Sequence, residues 1–303
     1  MRRSLAIAAT AGLALAGFSA PADAAVEGSA AACRLSAGSV TAVGGHGTVN
    51  VTAGTPPTAE PTRTTTGVFA PGKVRLSSTT TVEPNIAGWD VAGWVVQGDV
   101  LSHLAYTTDG SNQLNPADPV RWTRIGSGWT NFTAFEVSQY DEGAAGIARK
   151  AAYGLRSDGT LFRWSIAGGV WRSTGAATGF ASVKSMALIS KTRTYDTFLA
   201  TTRGGALYSI HIPTTSPMKP VVRQVRSSTW QGFETLIASR CGQHGTLLLG
   251  IDKDTKSGYL YAVGRMSGTA TVINALGKVQ TTFPDPVNFR WGGVPYLDPL
   301  NAD

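Results

Sequence analysis

Short runs of alternating apolar and polar residues, each closed by Gly, Asp, Asn, Ser or Pro, follow one another through most of the chain. A period of two puts every second side chain on one face of an extended backbone, so the runs predict β-strands rather than helices. The clearest stretch is 121–171, RWTRIGSGWTNFTAFEVSQYDEGAAGIARKAAYGLRSDGTLFRWSIAGGVW. Strands are predicted there over 132–137, 153–157, 160–165 and 170–173. Asp158-Gly159 is expected to be a tight hairpin turn, because this pair readily takes the positive φ that two-residue turns require. Between the first two strands, 138–152 reads as an exposed excursion in which 144–150 has room for a helical turn or two. Later strands are expected over 198–202, 206–211, 221–226, 247–251, 259–263 and 270–273. Before the clear stretch, 39–43, 48–53, 73–82, 101–107 and 120–125 carry the same pattern.

The punctuation repeats. Leu161 in GTLFRW is answered by Leu207 in GGALYSI and Leu260 in SGYLYAV, at steps of 46 and 53 residues. Phe132, Phe180, Phe233 and Phe289 form a second series with steps of 48, 53 and 56 residues. LAYTTDG at 104–110 parallels YGLRSDG at 153–159. Periods of this length mark repeat folds, and a four-stranded sheet with two apolar faces is best covered by radial stacking on its neighbours. The expected fold is therefore all-β, a β-propeller of five blades of mainly four antiparallel strands. Four repeats fill 85–303, and the tail from Phe289 through Trp291 to Tyr296 supplies a closing strand. Residues 25–84 form a divergent β-rich region, either a first blade or an arm that docks on a partner. A four-unit ring and a sandwich with irregular hairpins compete with this architecture, and the repeated anchors argue against the sandwich.

The first residues read as processing. Arg2 and Arg3 precede an apolar segment from Leu5 to Phe18, and Ala22-Asp23-Ala24 ends in small residues. Residues 1–24 are thus expected to be a signal peptide and the protein secreted, the apolar run being shorter than the roughly 20 residues that span a bilayer. Cleavage would change the formal charge from +7 to +6. Only 15% of residues are charged, so the surface is rich in neutral polar groups. The basic excess favours anionic surfaces at long range, but no Lys/Arg run gathers it, and no nucleic-acid partner is expected.

Cys33 and Cys241 are the two cysteines, and in an exported chain they are expected to pair, tying the N-terminal region to a late repeat. His46, His103, His211 and His244 occur singly, without metal-site spacing, and no serine sits in a nucleophile-elbow pattern. No enzymatic activity, cofactor or metal is expected. DKDTKSG at 252–258 reads as a hairpin loop, since Lys256 stands where a calcium loop needs an oxygen ligand.

RWTRIGSGWTNFTAF, YGLRSDGTLFRW, TWQGFETL and SGYLYAV together resemble the blades of tachylectin-type β-propeller lectins, over about 91–291. More loosely, the chain resembles lectin-like subunits of secreted antibacterial toxin particles. The first resemblance implies binding of glycans or cell-wall polymers, N-acetylated amino sugars among them, through rim loops. The second implies a non-enzymatic adaptor that contacts another secreted protein. The Gly-Trp-x-x-Phe motif is complete only at Gly128, Trp129 and Phe132, so fewer sites than blades are expected. Trp129 and Trp230, with Asn131 and Gln231 beside them, are the expected sugar platforms, the alternative being packing between blades. Tyr140 and Asp141 in the excursion, and Tyr195 in KTRTYD, are expected to contact ligand from loops that could equally be solvated.

Overall fold

The computed structural model describes residues 33–143 and 147–303, so the expected signal peptide lies outside the described residues. Strands β1 (Arg34–Val40), β2 (His46–Thr52), β3 (Thr58–Ala59) and β4 (Arg63–Thr65) come first. They are followed by β5 (Val74–Ser77), β6 (Thr80–Pro84), β7 (Gly88–Gln97), β8 (Val100–Asp109) and β9 (Arg121–Gly126). Then come β10 (Phe132–Asp141), β11 (Ile147–Arg156), β12 (Leu161–Ala167) and β13 (Val170–Ala177). β14 (Val183–Lys191), β15 (Tyr195–Thr202), β16 (Leu207–Pro213) and β17 (Val221–Arg226) repeat the arrangement. So do β18 (Thr235–Cys241), β19 (Gly245–Asp252), β20 (Ser257–Val263) and β21 (Ile273–Thr282), and β22 (Val287–Gly292) ends the series. A 3₁₀ turn, Pro295–Leu297, follows. Among the described residues no helix is long and apolar enough to cross a membrane.

Three sheets, β10–β13, β14–β17 and β18–β21, are four-stranded antiparallel meanders. The innermost strands of the molecule touch in a closed circle: β5 with β10, β10 with β14, β14 with β18, β18 with β22, and β22 with β5. This radial closure is that of a β-propeller, and burial follows from it. Second strands such as β15 and β19 are covered on both faces, and each carries a short apolar run at its centre, Phe198 to Ala200 and Leu247 to Leu249. Outer strands such as β17 are largely exposed, presenting Arg223 and Gln224 to water together with Val221 and Val222.

The expected five separate sheets are not what hydrogen bonding produces. The remaining ten strands form one sheet along β3-β2-β1-β22-β6-β7-β8-β9, with β4 on β2 and β5 on β7. Its two parts meet only where β22 runs parallel to β6, Trp291 opposite Thr80 and Gly292 opposite Thr81. The part with β22 and β1–β4 is called here the closing half, and β5–β9 the opening half. β22 also pairs antiparallel with β1, so the two chain ends share one ladder and neither is left as an open edge.

The repeat register differs from the phenylalanine series. Five buried aromatics hold one position around the circle: Phe69, Trp129, Phe180, Trp230 and Phe283. The N–H of each donates to a carbonyl in the hairpin between the second and third strands of the preceding unit. The acceptors are Gly44, Asp99, Gly159, Gly205 and Lys256, at 2.9 to 3.2 Å. Phe180 thus corresponds to Trp129 and Trp230, whereas Phe289 lies mid-strand opposite Gly38. Aligning on phenylalanine alone missed this, because the packing slot requires a large ring and accepts either Phe or Trp.

The hairpin residues explain why the slot is kept. Gly159 has φ +84°, and a Cβ there would stand 2.3 Å from the Ala181 nitrogen of the next linker. Gly159→Ala is therefore expected to cost about 1–3 kcal/mol through overpacking and left-handed strain, measured as a fall in the urea midpoint. Two other expectations need correction. Most of 138–152 is strand, since β10 extends to Asp141 and β11 starts at Ile147 instead of forming a helical turn; 144–146 lies outside the described residues. The 270–273 strand begins at Ile273 and runs on to Thr282. The 252–258 segment is the β19–β20 hairpin, with Asp252 Oδ1 accepting from the N–H groups of Asp254 and Thr255.

Candidate functional site

The two tryptophans expected to carry a sugar are not open to one. Trp129 and Trp230 are 6% and 5% exposed. Trp129 packs with Phe132, Phe135 and Trp164 at ring-centroid distances of 4.4, 5.1 and 5.5 Å, and Trp230 with Tyr261 at 4.8 Å. An indole stacks on a sugar only with an uncovered face, so both residues cement neighbouring sheets. Asn131 and Gln231 are exposed in the linker turns. The Gln231 carbonyl accepts from Lys184 Nζ. Tyr140 donates its hydroxyl to Glu142 at 3.1 Å, and Asp141 caps the turn by accepting from the Gly143 N–H at 2.8 Å. Tyr195 lies 4.4 Å from the His211 ring and donates to the Asp303 carbonyl oxygen. These seven residues are spread over several junctions and form no common site.

The junctions between neighbouring sheets differ in what fills them. Between β10–β13 and β14–β17, the fully buried Asp196 accepts from Arg149 at 2.5 and 2.7 Å and from Ser138 and Tyr153 at 2.6 Å each. Arg193 pairs with Glu142 above it. Between β14–β17 and β18–β21 lies the C-terminal tail. Ala302 donates to the Ile189 carbonyl and accepts from the Met266 N–H, while the Asp303 carboxylate meets His211 and Thr197. Between β18–β21 and the closing half, the Cys33–Cys241 disulfide ties the residue before β1 to the end of β18.

Two junctions stay open. The one between the closing and opening halves holds a cleft of about 310 Å³. β7 explains its wall: Val91 and Val95 point into the core shared with the closing half, and Trp89 continues that face beyond the end of the core. Its indole is 36% exposed and has no aromatic partner among the described residues. Opposite stands half-buried Trp291, at the end of β22.

Polar groups line the rest of the cleft. His46 is caged by Phe69, Phe289 and Trp291 at 5.2, 5.2 and 4.8 Å. Burial pushes its pKa down to about 3, so the imidazole is neutral. Its Nδ1 is 2.7 Å from the Tyr106 hydroxyl, whereas Nε2 is buried without a hydrogen-bond partner among the described residues, as is Thr108 Oγ1. Asn50 accepts from Ser36 at 2.6 Å and donates to Glu60 at 2.9 Å, leaving one amide hydrogen and one lone pair free. Arg63 makes no ion pair with any described residue and sits exposed at the rim, facing Asn112 across the opening. No carboxylate lines the cleft among the described residues, so the paired acids of glycoside hydrolysis have no counterpart there.

Sequence reasoning placed Trp291 in the closing strand and assigned neither it nor Trp89 to a site. The one available signal was parity: Trp89 shares the alternation of Val91, Gly93 and Val95 yet stands outside the apolar run.

No protein-family model matches the chain, and no curated protein sequence matches it. Among solved structures, the fucose-specific lectin from Aleuria aurantia is similar with a TM-score of 0.45 and 12% identity, over 80% of this chain and 78% of that one. A second structure of Aleuria aurantia lectin, described as a six-bladed β-propeller, gives a TM-score of 0.44 and 16% identity, over 83% and 97%. The catalytic domain of the Coprinopsis cinerea GH62 α-L-arabinofuranosidase gives 0.44 and 14%, over 71% and 73%.

Proposed function

We propose that the protein is a secreted, non-enzymatic carbohydrate-binding propeller of five radial units, holding a neutral pyranose in the cleft between its closing and opening halves. The observation that carries this reading is the uncovered Trp89 indole beside two buried polar atoms without partners among the described residues, His46 Nε2 and Thr108 Oγ1. A pyranose has an apolar C–H face that stacks on an indole and equatorial hydroxyls that both donate and accept. Such a ligand would stack on Trp89 and exchange hydrogen bonds with Asn50, Asn112 and Arg63, and a hydroxyl reaching the floor would meet His46 and Thr108. A cleft of about 310 Å³ suits one or two sugar units. Export is supported by the signal-like 1–24 segment and by the disulfide, which persists in oxidising compartments.

A glycan array followed by calorimetric titration tests the reading. Trp89→Ala is expected to weaken binding of the selected neutral glycan about tenfold or more while leaving the melting temperature nearly unchanged, because the side chain is a wall and not core. If the array stays blank and the protein instead captures a single stoichiometric partner from culture medium, the adaptor reading replaces this one.

A further inference from the structure

The second open junction lies between β7–β9 of the opening half and β11–β13, and its cavity is larger, about 570 Å³. Its chemistry is different. Trp94 and Ile125 form the apolar side, and Trp171, parallel to Phe135 at 6.4 Å, faces them from the start of β13. His103 leans edge-on against Trp94 at 4.9 Å. From β11, Arg149 and Lys150 enter the same space, and no carboxylate lines it among the described residues.

The two cations are not equivalent. Arg149 is spent on Asp196 and on the Thr192 carbonyl. The Lys150 side chain makes no hydrogen bond or ion pair with any described residue and is half-buried. Its charge is felt inside the cavity: burial first, and Lys150 second, hold the His103 imidazole below its ordinary pKa. An unneutralised ammonium beside a neutral imidazole, between indole walls, is a seat for a ring that carries an anion.

We propose that this cavity is a second site, selective for a carboxylate-bearing pyranose of uronic-acid type, whose carboxylate pairs with Lys150 and whose ring lies against Trp171. The anion supplies the partner that Lys150 lacks, and partial burial keeps the pair from being screened as a surface pair would be. The neutral cleft at Trp89 shares no lining residue with this cavity, so either site can fail without the other.

The test uses the mature full-length protein, with D-glucuronate and its uncharged methyl ester as probes, titrated by calorimetry. Glucuronate is expected to bind about tenfold or more tightly than the ester, and Lys150→Gln to remove that preference. Trp89→Ala is expected to leave glucuronate binding unchanged, and added salt to weaken it less than it would weaken an exposed ion pair. Equal binding of acid and ester to the wild-type protein, an unchanged preference in Lys150→Gln, or loss of glucuronate binding in Trp89→Ala would each overturn the proposal. So would the absence of measurable glucuronate binding. The acid-to-ester ratio on unaltered protein decides the matter even if the lysine variant folds poorly.

Discussion

Asp196→Ala is expected to lower the unfolding free energy by about 3–5 kcal/mol, read as a reduced urea midpoint at unchanged slope. The reason is the number of groups that converge on one carboxylate. Asp196 is 0% exposed and accepts from Arg149, Ser138 and Tyr153. Deleting it leaves a mostly buried guanidinium without its counter-charge and two buried hydroxyls without an acceptor, each with a desolvation penalty. Asp196→Asn, which keeps the shape and an acceptor but removes the charge, is expected to fall between alanine and wild type. A loss below about 1 kcal/mol for alanine would mean that the pair behaves as a solvated surface contact.

Removing the Cys33–Cys241 bond is expected to have an effect of similar size. The bond closes a loop with a sequence separation of 208, and chain-entropy arithmetic for a loop of that length gives about 5 kcal/mol, at the top of the range observed for native disulfides. Its position adds a structural consequence. Cys33 precedes β1, which pairs with β22 to join the two chain ends. The double variant Cys33→Ser/Cys241→Ser is thus expected to expose β1 and β2 to hydrogen exchange ahead of β14 and β15, which lie away from the closure. Uniform loss of protection would instead show that the bond acts on the whole ring through the unfolded state.

The two substitutions probe two of the three junctions that are filled by different devices: an ion cluster, the chain terminus and a disulfide. That diversity explains why a sequence with recurring blade motifs does not carry a recurring site. Lys184 and Arg75 show the same economy nearer the axis. Arg75 reaches the carbonyls of Trp129, Thr130 and Phe132 at 2.8 to 3.1 Å, and so bolts the opening half to the linker of the next sheet.

Local features were legible from the residues themselves. Alternation located most strands, Asp158-Gly159 is the β11–β12 hairpin, and Leu161, Leu207 and Leu260 are buried in third strands. These properties depend on neighbours within a few positions, where periodicity and turn chemistry act directly. The pairing of the two cysteines was legible because there was only one way to pair them. Sequence alone could not tell that Trp129 and Trp230 are mortar while Trp89 is left uncovered, since all three are tryptophans in or just before strands. What separates them is whether another sheet arrives to cover the ring, and that depends on contacts between residues far apart in the chain. The cleft at Trp89 combines β1, β2 and β4 with β7, β8 and β22. Only closure of the ring brings those together, so the sequence by itself determined the strands and their turns, and the tertiary structure decided which gaps between sheets remain open to a ligand.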